Sequence, residues 1–174
     1  MTIEMLNSLL AVVVGGFLAI AGGYASTRLI EKHRQEQESR SLALAFKGEI
    51  MALLQYVERR NYAARFEQVI EQIEATQQPF FMPMRIRFAY DSVYQENVGR
   101  IGLLKGKLPE LIPLFYTQLH AIMDDLANLG DRTYAELDLE TLLRVYRDLQ
   151  RFLAETASIG QAIVIEVDRQ YVPS

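Results

Sequence analysis

Four groups of side chains in this chain have types and spacing that chemistry can use. Arg28 and His33 form an R-x4-H pair, a fixed cation followed by a side chain that titrates near neutrality. His120 and Asp124 stand at i, i+4 with Asp125 next, a spacing that can place two metal ligands on one helix face. Glu67, Glu71 and Glu74 recur at helical spacing and offer oxygen to a divalent ion. Tyr94 and Asn97 can hydrogen-bond either a ligand or the backbone of a turn. The two histidine pairs lack a third convergent group, and no histidine joins the glutamates. A general base needs a partner that sets its protonation, and two ligands do not hold a metal. The reading therefore leans away from an enzyme and assigns no catalytic residue, metal or cofactor. The glutamates read as a solvated flank, and His120 with Asp124 as an exposed helix face. There is no cysteine, which excludes disulfides, thiolate zinc sites and cysteine nucleophiles.

The element that positions everything else is the run Met5 to Ala25, which carries no charged side chain. As a helix at ~1.5 Å per residue it covers about 32 Å, close to the ~30 Å hydrocarbon layer of a bilayer. Inside lipid such a run satisfies its backbone only as a helix. Residues 1–27 are expected to form a transmembrane anchor and 28–174 a cytoplasmic helical bundle. A secretory leader ending at Gly23-Tyr24-Ala25 is the competing reading. The charges oppose it, because Met1 to Glu4 has no Lys or Arg whereas Arg28, Lys32 and Arg34 follow the run. Basic residues stay on the cytoplasmic side. The N-terminus is thus expected outside and the body inside, on a single-pass protein of the inner (plasma) membrane. Arg28, Lys32 and Arg34 then face anionic lipid headgroups at the surface. Ala11, Gly15, Ala19 and Gly23 recur at every fourth position and let two such helices approach closely, so homo-oligomerisation is expected.

The chain has 174 residues, a net charge of −4 and a pI of about 5.3, which suits one packed domain after the anchor and argues against a dedicated nucleic-acid binder. The fold class expected is all-α: an N-terminal transmembrane helix continuing into an antiparallel bundle of about four helices. Ser26 to Arg40 lacks Gly and Pro, so the anchor helix runs on without a break. From Ser41 to about Glu74 the apolar positions, among them Leu42, Phe46, Ile50, Leu53, Phe66, Val69 and Ile73, fall at helical spacing, with a kink or change of partner near Asn61. Ala75 to Met84 is a loop broken by Pro79 and Pro83. Its Phe80, Phe81 and Met82 fold back onto the bundle, meet a protein partner, or dip into lipid. Arg85 to Phe88 leads into a short helix.

A heptad seam follows: Leu108, Ile112, Phe115, Leu119, Ile122, Leu126 and Leu129 alternate steps of four and three. Pro113 sets a regular helix from about Leu114, and Gly130 stops it. Thr133 or Asp138 starts the last helix, whose seam is Leu142, Tyr146, Leu149, Leu153, Gly160, Ile163 and Val167. Arg144, Arg147 and Arg151 line its polar side, where Glu140, Asp148 and Glu155 offset them.

Between loop and seam, Tyr94-x-x-Asn97-x-x-x-Ile101-Gly102-x-Leu104, followed by a helix containing Phe115-Tyr116, resembles a class of small uncharacterised bacterial proteins with one N-terminal membrane helix and a cytoplasmic helical bundle. The resemblance implies architecture and no settled activity. Read as residues, Asn97 bonds backbone at a helix end, Gly99 and Gly102 permit a left-handed or close-packed turn, and Ile101 and Leu104 enter the core. Arg28 and His33 also match the spacing of HEPN-type ribonucleases, although Leu29 stands where that family has a polar residue. The leading expectation is a coiled-coil-like bundle that works by self-assembly, as a scaffold or membrane ring, with membrane lipid, its own copies and an unidentified protein as partners. The alternative is a membrane-associated effector, either pore-forming or a HEPN-like ribonuclease.

Overall fold

A computed structural model of the chain describes residues 3–82, 90–131 and 133–172, and within 3–26 only the backbone and the Tyr24 side chain. Every described element is helical: α1 Ile3–Arg60, α2 Tyr62–Thr76, α3 Ser92–Asn97, a 3-10 turn Val98–Leu103, α4 Leu108–Gly130, a second 3-10 turn Thr133–Glu136, and α5 Leu139–Tyr171. The chain divides into two compact units, Met1–Arg40 and Ser41–Ser174, and the division falls inside α1. The first unit is helical backbone throughout its described length. Among the described residues no helix is long and apolar enough to cross a membrane; the run Met5 to Ala25, Tyr24 apart, has its side chains outside those residues.

In the second unit the break comes at Asn61. It adopts φ 51°, a left-handed conformation that asparagine tolerates better than most residues. Its N–H donates to Glu58 O at 2.9 Å and its carbonyl accepts from Arg65 N at 3.1 Å, so one residue closes α1 and opens α2. The kink read at this position is a full break. Gln77, at φ 53°, closes α2 in the same way through Ile73 O.

α4 and α5 are antiparallel, since Lys107 at the start of α4 meets Glu166 near the end of α5, and Gln118 meets Thr156 further along. The same holds for α5 and the Ser41–Arg60 part of α1, where Lys47 pairs with Asp168. At Gly160 three helices converge: a Cβ there would lie 2.9 Å from Phe115 Cε2, 3.2 Å from Leu54 Cδ2 and 3.3 Å from Ile50 Cγ2. The hydrophobic interior is split in two. One core gathers Leu42, Phe46, Ile50, Ile112, Phe115, Ile163 and their neighbours; the other gathers Phe66, Val69, Ile73, Ile122, Leu129, Leu142, Tyr146 and Leu149. Both heptad seams are buried except that Leu119 and Leu153 are only partly so.

Two expectations change and one choice is made. Pro113 lies inside α4, which is regular from Leu108, because Pro109 occupies the first turn and Pro113, the sixth residue, forfeits only its own bond back to Pro109. Gly99 and Gly102 do not supply a left-handed turn; neither has positive φ, and neither would bring a Cβ within 4 Å of another group. That requirement falls on Gly106, at φ +64°, where a Cβ would stand 2.0 Å from Glu166 Oε1. Of the two starts offered for the last helix, α5 takes Asp138, whose carboxylate accepts from Thr141 N at 2.8 Å, while Thr133 opens only the 3-10 turn. Pro83, Met84 and Arg85 to Phe88 lie outside the described residues.

Candidate functional site

A polar constellation in the second unit is built on Glu49, Asp91, Tyr94, Tyr116 and His120. Glu49 sits on α1 one step from the buried Ile50, so its carboxylate is carried to the edge of the core. Oε1 accepts from the Tyr116 hydroxyl at 2.5 Å and from Tyr94 N at 3.3 Å; Oε2 accepts from Val93 N at 2.7 Å. These donors include backbone N–H groups of the first turn of α3, which would otherwise be unpaired. Glu49 therefore fastens α3 to α1 and α4 at once. Burial, followed by the Glu49 carboxylate, pushes the Tyr116 phenol far above its ordinary range, so it stays a donor.

Beside it, His120 Nε2 lies 2.7 Å from Asp91 Oδ2, which also accepts from Gln95 Nε2 at 2.9 Å. Burial opposes the Asp91 charge, but the bonds from Gln95 and His120 outweigh it and hold the carboxyl below its usual value. Tyr94 stacks on Tyr116, with centroids 4.1 Å apart, and presents an edge to His120. A histidine oriented by a carboxylate is half of a general-base arrangement. Here both Glu49 oxygens and Asp91 Oδ2 accept bonds from within the chain, and the group braces α3 against α1 and α4.

His120 thus turns toward Asp91 instead of joining Asp124, and Asp125 accepts from the Tyr134 hydroxyl at 2.8 Å. Among the described residues no group of three or more His, Asp or Glu could hold a metal ion. Glu67 and Glu71 are exposed, and Glu74 pairs with Arg147. Arg144 pairs with Glu140 at 3.5 Å and Arg151 with Asp148 at 2.8 Å, so the arginine row is balanced by its neighbours. Asn97 donates to Val93 O at 2.9 Å, a backbone bond near the end of α3 of the kind its spacing suggested, and it accepts from Arg100.

The loop side chains Phe80 and Phe81 pack on the second core and Met82 is buried in it. Tyr146 fixes this path, donating to Phe80 O at 3.2 Å and accepting from Met82 N at 3.4 Å. Of the three destinations open to that loop, these side chains fold back, Met82 fully and Phe80 and Phe81 in part.

In the first unit Arg28, Lys32 and Arg34 are exposed. The Arg28 guanidinium lies over the Tyr24 ring at 4.7 Å, and His33 Nδ1 stands 3.9 Å from Glu36. Five residues on an unbroken helix turn about 140° around its axis, so Arg28 and His33 leave the helix in different directions. The small residues Ala11, Gly15, Ala19 and Gly23 have side-chain positions outside the described residues.

Sequence reasoning missed Glu49, Asp91 and Tyr116. The available signal was an acid at Glu49 placed between Phe46 and Leu53 on the apolar stripe of α1. Compared with protein-family models, curated proteins and solved structures, the chain matches none.

Proposed function

We propose that this chain is a single-pass inner-membrane protein whose helical bundle lies on the cytoplasmic side and acts by assembling with its own copies, without catalysis. The observation that carries the proposal is the uncharged run Met5 to Ala25 within the unbroken helix α1, with Arg28, Lys32 and Arg34 just beyond it. The small residues Ala11, Gly15, Ala19 and Gly23 share one stripe of that run and suit close helix contact in lipid. On the bundle, Met51, Leu54, Val164 and Ile165 line an exposed apolar groove between α1 and α5, with Ile165 67% exposed, and this surface suits contact with a second copy. The engagement of both Glu49 oxygens and of Asp91 Oδ2 within the chain supports a non-catalytic role. The pattern at Tyr94 and Asn97 supports kinship with small bacterial proteins of the same architecture.

Since the chain has no cysteine, single cysteines report on contact without background. In native membranes, Gly15→Cys and Ala19→Cys should cross-link into dimers, whereas Phe17→Cys, on another face, should not. Equal cross-linking at all three positions would reject the specific helix contact, and none at any would reject assembly through the anchor.

A further inference from the structure

The groove between α1 and α5 belongs to a face without charge. On α1 no Asp, Glu, Lys or Arg falls between Glu49 and Glu58, and on α5 none falls between Glu155 and Glu166. Earlier on α5 the charges are dense: from Glu140 to Glu155 one comes at least every fourth residue. Of the bordering charges, Glu49 accepts from Tyr116 and from α3, Glu166 is buried and accepts from Arg169, and Lys47 pairs with Asp168.

What the face presents instead is apolar or amide. Ile165 is the most exposed large apolar side chain among the described residues of the second unit. It lines the groove beside Met51 and beside Leu54 and Val164, which are half-buried against the first core. Gln55 and Gln161 complete the lining. A projecting side chain and the hollow that could receive it thus share one surface, the requirement for an isologous contact.

Charge, hydrogen bonding and area together choose the occupant. Copies of this chain each carry a net charge of −4 and repel one another, so an uncharged face is where they approach most easily. Interface cores are depleted of charge and enriched in methionine in the same way. An amide carries donors and an acceptor, so Gln161 can bond the Gln161 of an identical chain across a two-fold axis, which Asp or Lys there could not. Area sets the condition. A stable interface takes about 20–30 residues and about 800 Å² from each side, and the six groove residues with a comparable rim supply about half of that. A freely diffusing protein would not be held by so little. A copy already tethered alongside would be, because linkage gives the second contact an effective concentration on the order of millimolar.

We infer that the bundles of two copies meet through this face about a two-fold axis, Ile165 of each seating in the groove of the other, and only between copies whose anchors associate. This contact rests on the assembly reading above and gives it a second surface.

Two differently tagged full-length copies, one with Met51→Cys and the other with Ile165→Cys, are co-expressed and treated in native membranes with a short bifunctional maleimide. A product bearing both tags is expected, at least fivefold above that formed when Leu114→Cys, exposed on α4 outside the groove, replaces Ile165→Cys. Gln161→Glu in both copies sets like charges face to face and should lower the product at least fivefold. Gln161→Glu in one copy facing Gln161→Lys in the other should restore it. Gly15→Leu in both anchors should also lower it at least fivefold, and Gly15→Cys in a parallel sample reports the anchor contact alone. Anchor cross-linking without a Met51 to Ile165 product above the Leu114 level overturns the bundle contact and leaves the assembly reading standing. A product formed without anchor cross-linking, or left unchanged by Gly15→Leu, overturns the dependence on the anchor. Insensitivity to Gln161→Glu, or no recovery with the opposite charges, overturns the two-fold arrangement. No cross-linking at any position removes both the contact and the assembly reading.

Discussion

The two cores of the second unit are held in different ways. The second core is closed by apolar side chains from α2, α4 and α5, with Tyr146 fixing the loop over it. The first is interrupted by polar groups that join elements far apart in sequence: Glu49 to Tyr116 and α3, Tyr171 accepting from Lys105 N at 2.8 Å, and Glu166 accepting from Lys107 N at 3.3 Å. Regular seams close a core by area alone. Where the chain must turn through short, irregular segments such as 91–107, buried or half-buried acceptors take over the task, because those segments have backbone N–H groups without helical partners.

The contrast can be broken first at its apolar side. Phe66→Ala removes a fully buried ring from the second core and should cost about 4 kcal/mol in urea unfolding. A cost near that of an exposed residue would mean the second core is not packed as described. Glu49→Ala should cost about 3 kcal/mol, because it strips the Tyr116 hydroxyl and the α3 N–H groups of their acceptor. Amide exchange should then speed up in 92–98 while the second core stays protected; uniform loss of protection would contradict the division into two cores. Asp138→Ala removes a helix cap and should cost about 1 kcal/mol, felt mainly at the start of α5.

The smallest effect is a dependence on acid. Arg169, and after it Gln170, hold the Glu166 carboxyl down to about 2, and Asp91 and Asp138 are also below their usual range. Unfolded carboxylates titrate near 4. A depressed folded-state value gives stability that is present above the unfolded value and is lost as pH falls through the folded one. Unfolding midpoints should therefore drop from about pH 4 toward pH 2. Glu166→Gln should flatten part of that drop; a profile identical to the native one would remove Glu166 from the explanation.

This division also explains what was legible in the sequence. The seams of α4 and α5 could be read residue by residue, since Leu108 to Leu129 and Leu142 to Val167 repeat at the helical period, and only Pro113 misled. The break at Asn61 was visible as an interruption of the apolar stripe. The brace was not, because nothing local links Glu49 to residues 91–94 and 116, and periodicity is blind to contacts so distant in sequence. Gly106 was overlooked for the same reason: beside its positive φ, the need for glycine there arises from the Glu166 side chain, which fills the space a Cβ would take. His120 drew notice through its spacing to Asp124, whereas its partner came from another segment.

The most direct test of the proposed placement is extraction of native membranes with alkaline carbonate, followed by protease treatment of sealed inside-out vesicles. The expected result is full-length chain retained in the pellet, with Ser41 to Ser174 digested because it faces the cytoplasm. Release of the chain into the supernatant, or recovery of a product trimmed near Ala25, would contradict the account.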